Sequence, residues 1–336
     1  MNKIAKTVLM TGTALCAAGV VLSTAGYFAG GKDFTYTSDH MYVSGGNSSS
    51  RKNLTVMKKE QIDDFTKLNV NFENFDLDIR TSDDDHYYME YRLEKNGRKN
   101  PLIWKDKDGK LTLEESAGGS GSYYITYDLG IFSTHADLTE KKDALNTVIL
   151  YIPEKAQLSE AELQLSDGDL AADQLLCKEM TLELLNGDLM LDKGEFEKFD
   201  AKLSDGDLNV KELQCTDNMQ LKSGNGDVTI KKAELADGQI ALSDGDIQID
   251  NSSFNGDMKI NSSCGDVSVE MKNGSAEKTN IYLKATDGDV DTEGLSRGKT
   301  DNEEDTSVYE NKAGASAPTL NVECSDGDIT LTESEK

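Results

Sequence analysis

The sequence predicts an all-β fold: a β-solenoid, parallel β-helix-like, with coils of 19–20 residues, preceded by an N-terminal β region and a membrane helix. Three observations carry this. A short turn signature recurs at nearly constant spacing, the residues around it alternate apolar and polar, and the N-terminal end holds a long uncharged apolar stretch.

That stretch comes first along the chain. Val8 to Ala29 is 22 residues without a charge, preceded by Lys3 and Lys6. At about 1.5 Å per residue it spans a hydrocarbon core of about 30 Å. Residues 1–30 therefore read as a membrane anchor or signal-anchor helix, and the basic residues before it place the bulk of the chain outside the cell. Ser23-Thr24-Ala25 supplies small residues for a peptidase, in which case the chain is secreted. Residues 31–59, with Gly30-Gly31, Gly45-Gly46 and Asn47-Ser48-Ser49-Ser50 in or beside them, read as a flexible linker.

Residues 60–155 alternate less regularly. Phe65 to Phe72, Leu77 to Ile79, Tyr87 to Leu93, Leu111 to Leu113, Tyr123 to Tyr127 and Val148 to Ile152 each show period-two patterning. They form the expected N-terminal β region, which caps the solenoid and runs into it through Ile152-Pro153.

The repeat fills residues 156–332. Leu165-Ser-Asp-Gly-Asp-Leu170 recurs as Leu184-Leu-Asn-Gly-Asp-Leu189, Leu203-Ser-Asp-Gly-Asp-Leu208 and five further copies. Their glycines are Gly168, Gly187, Gly206, Gly226, Gly245, Gly265, Gly288 and Gly327, so the steps are 19, 19, 20, 19, 20, 23 and 39 residues. The last step reads as a coil without its signature, carrying an inserted loop at 293–318. Two and four residues after each glycine stand apolar residues, from Leu170 and Ala172 to Ile329 and Leu331, with Thr292 the one exception. Stacking coils about 4.8 Å apart turns each such position into a buried column. The glycines are structural turn positions, expected at positive φ. Phe254-Asn-Gly-Asp-Met258 suggests that a second corner is sometimes built the same way.

Charge is placed unevenly. The net charge is −27, and residues 156–336 hold 40 acidic and 16 basic side chains, a net of −24. Such a surface repels nucleic acid, so no nucleic-acid partner is expected.

These features resemble the bacterial DUF4097 family, envelope proteins with β-strand repeats described as candidate adhesins. The resemblance rests on the N-terminal membrane segment, the Ile152-Pro153 entry and the serial Ser-Asp-Gly-Asp turns, and it spans residues 60–332. It implies an envelope location, and some members resemble factors tied to cell-envelope stress.

Four cysteines lie in the repeat region. Cys177 and Cys215 each stand nine residues after a repeat glycine, two coils apart in one column. That is about 9.6 Å, beyond the roughly 7 Å that a disulfide allows. The column also holds Phe196, Leu235 and Phe254, and Cys324 shares a column with Leu165, Leu184, Leu203 and Leu242, so the expected state is a buried free thiol. With Cys264 included, no Cys-x-x-Cys occurs, which argues against zinc.

The sharpest chemical feature is the acid after each glycine, as in Asp169, Asp188, Asp207, Asp227 and Asp246, joined before the glycine by Asp167, Asp205 and Asp244. Rows of carboxylates about 5 Å apart repel by about 0.8 kcal/mol per pair in water. Turn amides can offset this by donating hydrogen bonds. Alternatively a cation does, and these eight aspartates are the candidate Ca2+ ligands. No other cofactor is expected.

Catalysis finds little support. The acids repeat in equivalent surroundings, and His40, His86 and His135 all precede the solenoid. Tyr87, Tyr88, Tyr91, Tyr123, Tyr124 and Tyr127 could line a glycan groove or simply pack strands. The expected function is a non-enzymatic, single-pass membrane-anchored extracellular protein of adhesion or envelope-stress response. Its partners would be the membrane through the N-terminal helix and an envelope protein, glycan or cationic peptide. A Ca2+- or cationic-peptide-binding module is the alternative, and a carbohydrate-active enzyme stands behind it.

Overall fold

One coil shows how the sequence makes the fold. Between Gly168 and Gly187 the strand Leu170–Asn186 buries Leu170, Ala172, Leu175, Cys177, Met180, Leu182 and Leu184. Period-two alternation is interrupted only at Asp173-Gln174 and Lys178-Glu179, where two consecutive residues avoid the core. Each such pair marks a corner, because a strand that keeps its pleat cannot point two successive side chains outward without bending. The glycine turn makes the third corner. Burial of a large aliphatic side chain contributes about 1.5–3 kcal/mol, so every coil adds a substantial share of the core.

The computed structural model describes residues 34–36, 41–43, 54–117, 145–292, 295, 298–303 and 305–335. The membrane segment at 8–29, most of the linker, Tyr123, Tyr124, Tyr127, His40 and His135 lie outside the described residues. Phe34–Tyr36 and Met41–Val43 pair antiparallel as a separate two-stranded sheet. Among the described residues no helix is long and apolar enough to cross a membrane.

The remainder is a stack of parallel coils. Leu170–Asn186, Leu189–Asp205 and Leu208–Asn225 pair in parallel, in register over their full lengths apart from one bulge. Val228–Lys231 with Ala233–Asp244, and then Ile247–Phe254 with Met258–Cys264, continue the stack. The expected columns form. Leu158, Cys177, Phe196, Cys215, Leu235 and Phe254 are successive partners and all are buried. The uneven steps have a local cause. Cys215 pairs with Phe196 but Asn218 with Lys198, so one extra residue bulges at a corner of that coil and lengthens its step to 20.

At both ends the chain leaves its sequential order. Met258–Cys264 pairs with Thr319–Asp326, and Asn280–Thr286 pairs with the other side of that same strand. The last coil is thus inserted between two earlier ones. The 39-residue step therefore hides no unsigned coil, which corrects the sequence expectation. Nor is 293–318 simply a loop: Lys299–Glu303 and Thr306–Asn311 form an antiparallel hairpin that covers the outer edge of Asn280–Thr286. The beginning mirrors this. Lys67–Phe72 lies between Lys110–Glu115 and Leu158–Asp167, all parallel, and Asp76–Ser82 lies between Thr147–Pro153 and Leu170–Asn186. Tyr87–Glu94 and Leu102–Lys107 add antiparallel to the outermost strands.

Candidate functional site: the aspartate edge

The glycine corners stack into one edge. At Gly206 a Cβ would lie 2.1 Å from the carbonyl oxygen of Gly187, and at Gly187 it would lie 2.2 Å from that of Gly168. The same collision recurs at every repeat glycine. Positive φ, the reason expected from the sequence, holds at Gly206 (141°) but not at Gly168 or Gly288. What unites the eight is the close approach of one coil's turn to the next.

That approach places an amide row against a carboxylate row. Asp188 N–H donates to Asp169 Oδ1 at 2.9 Å, Asp207 N–H to Asp188 Oδ1 at 2.9 Å, and Asp227 N–H to Asp207 Oδ1 at 2.8 Å. Asp246 and Asp266 continue the row at 2.9 and 2.8 Å. Asp328 donates to Asp266 and Asp289 to Asp328, both at 2.8 Å, so the inserted coil takes its place in the ladder. At the other end Asp169 N–H donates to Asp76 Oδ1 at 3.0 Å. The flanking backbone groups close the zipper: Gly206 N–H reaches Asn225 O at 3.1 Å and Leu189 N–H reaches Asp207 O at 2.8 Å. Each side chain thus supplies the acceptor that the turn's own backbone carries out of register.

The second row sits one residue before the glycines and alternates in charge. Asn186 Nδ2 donates to Asp167 Oδ1 at 2.7 Å, and Asn225 Nδ2 to Asp205 Oδ1 at 2.5 Å. Asp244 follows, and then Cys264, which is exposed. This corrects the expectation that all four repeat-region thiols are buried: Cys177, Cys215 and Cys324 are, but Cys264 stands in the outward acidic row. Burial pushes the Cys177 thiol up to about 12.

Two further features lie outside the eight repeat turns. Asp76 follows Phe75 rather than glycine, and it is the only partly buried carboxylate of the row. Burial pushes it above the usual carboxylate range, while the Asp169 amide and the Thr147 hydroxyl pull it down. At a second corner Asp257 N–H donates to Asp237 Oδ1 at 2.7 Å and Thr319 N–H to Asp257 Oδ1 at 2.9 Å. The Phe254–Met258 motif was the signal for that smaller ladder.

The edge differs from the other corners in its charge balance. Elsewhere lysines bridge neighbouring coils, Lys67 to Glu160 at 2.7 Å, Lys211 to Asp192 at 2.6 Å and Lys232 to Glu212 at 2.9 Å, and Lys272 reaches across a coil to Glu234 at 2.7 Å. The hydrogen bond from Lys232 holds Glu212 below its ordinary range. Among the described residues none of the nine ladder aspartates forms an ion pair, although eight of them are exposed. All but Asp289, which ends the row, spend Oδ1 on an amide. A Ca2+ ion takes six to eight oxygens, and among the described residues no cluster of three or more acidic, His or Cys side chains is placed to hold a metal. A concavity at Thr81, Ile152, Pro153 and Leu175 encloses about 10 Å3, room for a single water.

The family model described as Toastrack DUF4097 matches residues 65–332. No curated protein matches the sequence. Among solved structures the chain is similar to a candidate adhesin of Parabacteroides distasonis, at 16% identity over 84% of this chain and 97% of that one, with a TM-score of 0.45. A candidate adhesin of Parabacteroides merdae is similar at 15% identity over 86% and 98%, with a TM-score of 0.43. A candidate lipid-binding protein of Parabacteroides distasonis is similar at 12% identity over 84% and 97%, again with a TM-score of 0.43.

Proposed function

The chain belongs to the Toastrack DUF4097 family, and on that premise we propose that it is a non-enzymatic binding scaffold whose aspartate edge meets a cationic partner. In this reading residues 1–30 tether it to the membrane and the solenoid projects outside the cell, in adhesion or in the response to envelope damage. One observation carries the binding role: a continuous row of carboxylates whose charge no basic side chain of the described chain neutralises, while the other corners of the same coils are ion-paired. An Asn oxygen would cap the turn too, yet all nine ladder positions are Asp. A carboxylate is the stronger acceptor, so part of this preference is structural; the rest is available for binding. Long-range attraction of a basic peptide or protein to such an edge is steep in salt.

The test keeps the hydrogen bonds and removes the charge. Asp188→Asn, Asp207→Asn and Asp227→Asn are combined, and binding of a labelled deca-lysine peptide is followed by anisotropy at low and high NaCl. A control combines Glu160→Gln, Glu179→Gln and Glu212→Gln at the ion-paired corners. The edge variant is expected to weaken binding clearly more than the control. Equal losses would mean that net charge alone attracts the peptide, and the edge would lose its role.

A further inference from the structure

The hairpin at the N-terminal end of the stack is the opposite of the rest of the molecule. Residues 95–110 contain Lys95, Arg98, Lys99, Lys105, Lys107 and Lys110 against Asp106 and Asp108, a net of +4 in a chain of −27. Arg98 is consumed internally, 2.8 Å from the buried carboxylate of Glu115, which also caps the amides of Glu73 and Asn74. The lysines are not consumed in this way. Lys99, Lys105, Lys107 and Lys110 are exposed, and Lys107 reaches only the equally exposed Asp108 at 3.7 Å.

Beside them are two apolar side chains that the core does not take. Leu102–Lys107 pairs with Lys110–Glu115 and, among the described residues, with no second strand, so it is an open edge. Its register places Ile103, Lys105 and Lys107 on one face with Glu114, Thr112 and Lys110. Ile103 is 44% exposed there. Trp104 lies on the other face, opposite the buried Leu113, yet keeps 38% of its surface exposed. Asp63 and Asp64 lie near Asp106 on that second face, so the basic face is the one bearing Ile103. Lysines alone would be ordinary protection of an edge strand against pairing. Such protection does not account for an exposed Ile and Trp next to them.

We propose that the hairpin Leu102–Glu115 is a peripheral membrane contact, with Ile103 and Trp104 entering the interfacial zone of an anionic phospholipid surface and Lys105, Lys107 and Lys110 meeting its headgroups. Trp is the residue best suited to that zone, having an apolar body and a polar N–H. Lysine stems lie along apolar surface while their ammonium groups reach phosphate. Each lysine near an anionic leaflet strengthens binding by about fivefold, so three of them hold an otherwise repelled, acidic protein at this end alone. The inference is independent of the aspartate edge. If residues 1–30 are a tether, it raises the effective concentration of the hairpin at the bilayer, but the contact does not require it.

Trp104 is the one tryptophan of the chain and therefore reports on its own surroundings. The full chain is combined with vesicles of phosphatidylglycerol and phosphatidylcholine in equal parts, or of phosphatidylcholine alone. Tryptophan emission, acrylamide quenching and quenching by brominated lipid are then measured. The expected result is a blue shift, a several-fold fall in acrylamide quenching and strong bromolipid quenching on the anionic vesicles only, reversed by high salt. Lys105→Glu, Lys107→Glu and Lys110→Glu together should abolish the response with an unchanged circular dichroism spectrum. Bromolipid quenching of the unaltered chain decides the matter even if that variant misfolds. An unchanged spectrum, an equal response on both vesicles, or a blue shift that needs no lipid and grows with protein concentration would overturn the proposal. The last would mean that the hairpin docks on the acidic edge of a second copy.

Discussion

Gly168→Ala separates the two reasons for a glycine in these turns. Gly168 lies outside the positive-φ region, so an Ala there carries no left-handed penalty. Its Cβ would nevertheless sit 2.2 Å from the carbonyl oxygen of Phe75 and 2.8 Å from its carbon. Relieving that overlap means parting two coils locally by about an ångström, with loss of two or three flanking hydrogen bonds at about 1 kcal/mol each and of the packing beneath them. The contacts at risk include Asp169 N–H to Asp76 Oδ1 and Leu77 N–H to Asp169 O. The expected loss is about 3–4 kcal/mol in urea unfolding followed by circular dichroism. Gly206→Ala should cost somewhat more, because φ is 141° there in addition. The reference is Gly274→Ala, where φ is 76° and nothing lies within 4 Å of the added methyl; left-handed strain alone predicts about 1–2 kcal/mol. If Gly168→Ala proved neutral while Gly274→Ala did not, backbone φ would be the operative constraint and the stacking argument would fail.

Four further outcomes follow from the same geometry. Asp207→Asn keeps the acceptor for the Asp227 amide and should change stability little, whereas Asp207→Ala removes it and should cost about 1 kcal/mol. Asp76→Asn should stabilise the protein at neutral pH: a carboxyl whose folded pKa is raised favours folding at low pH and loses that contribution as pH rises through its folded value. The gain should close as pH falls through the carboxylate range, and a loss at every pH would show that the charge is used. With iodoacetamide at pH 8, Cys264 should react well before Cys177, Cys215 and Cys324, whose thiols burial pushes up; simultaneous reaction would mean that the coils open readily. Chelator should leave the melting temperature unchanged while NaCl raises it by screening the edge, and a fall of more than about 10 °C on chelation would promote the Ca2+ reading.

The stack was legible because a parallel solenoid writes its third dimension into the sequence. Residues one period apart touch, so the partners of Cys177 could be named as Phe196 and, one coil on, Cys215. The same arithmetic places Cys264 in the row of Asp205, Asn225 and Asp244, so its exposure is legible from the spacing. Asp76 was hidden for a physical reason. The strands outside it, Lys110–Glu115 and Thr147–Pro153, are joined by a long stretch of chain rather than by a tight turn. No stacked turn demands a glycine before Asp76, and Phe75 fills that place, packing edge-on to Phe72 at 5.8 Å. The Arg98–Glu115 pair was hidden because its partners share no period. The basic hairpin was visible as a charge reversal, but the exposure of Ile103 and Trp104 depends on which strand ends the sheet, and alternation does not encode that.

The two ends of the stack follow one rule that spacing could not reveal. At the start the chain lays down Lys67–Ser82, places Lys110–Glu115 and Thr147–Pro153 outside it, and returns to the inner side at Leu158. At the finish it lays down Met258–Met271, goes outward to Asn280–Asp291, and returns to insert Thr319–Glu333 between them. The first and last coils are therefore hydrogen-bonded on both sides. In a solenoid laid down in simple sequence, a terminal coil has one neighbour and is the first to open. Here the outermost coils are internal to the chain and covalently held at both ends, so opening one leaves a loop rather than a free terminus. Their exposed edges are closed by antiparallel strands, which satisfy backbone groups but offer no further parallel register for another coil. The 39-residue step between Gly288 and Gly327 is the length of chain this manoeuvre requires: a cap hairpin outward, then the strand Thr319–Asp326 back inside it.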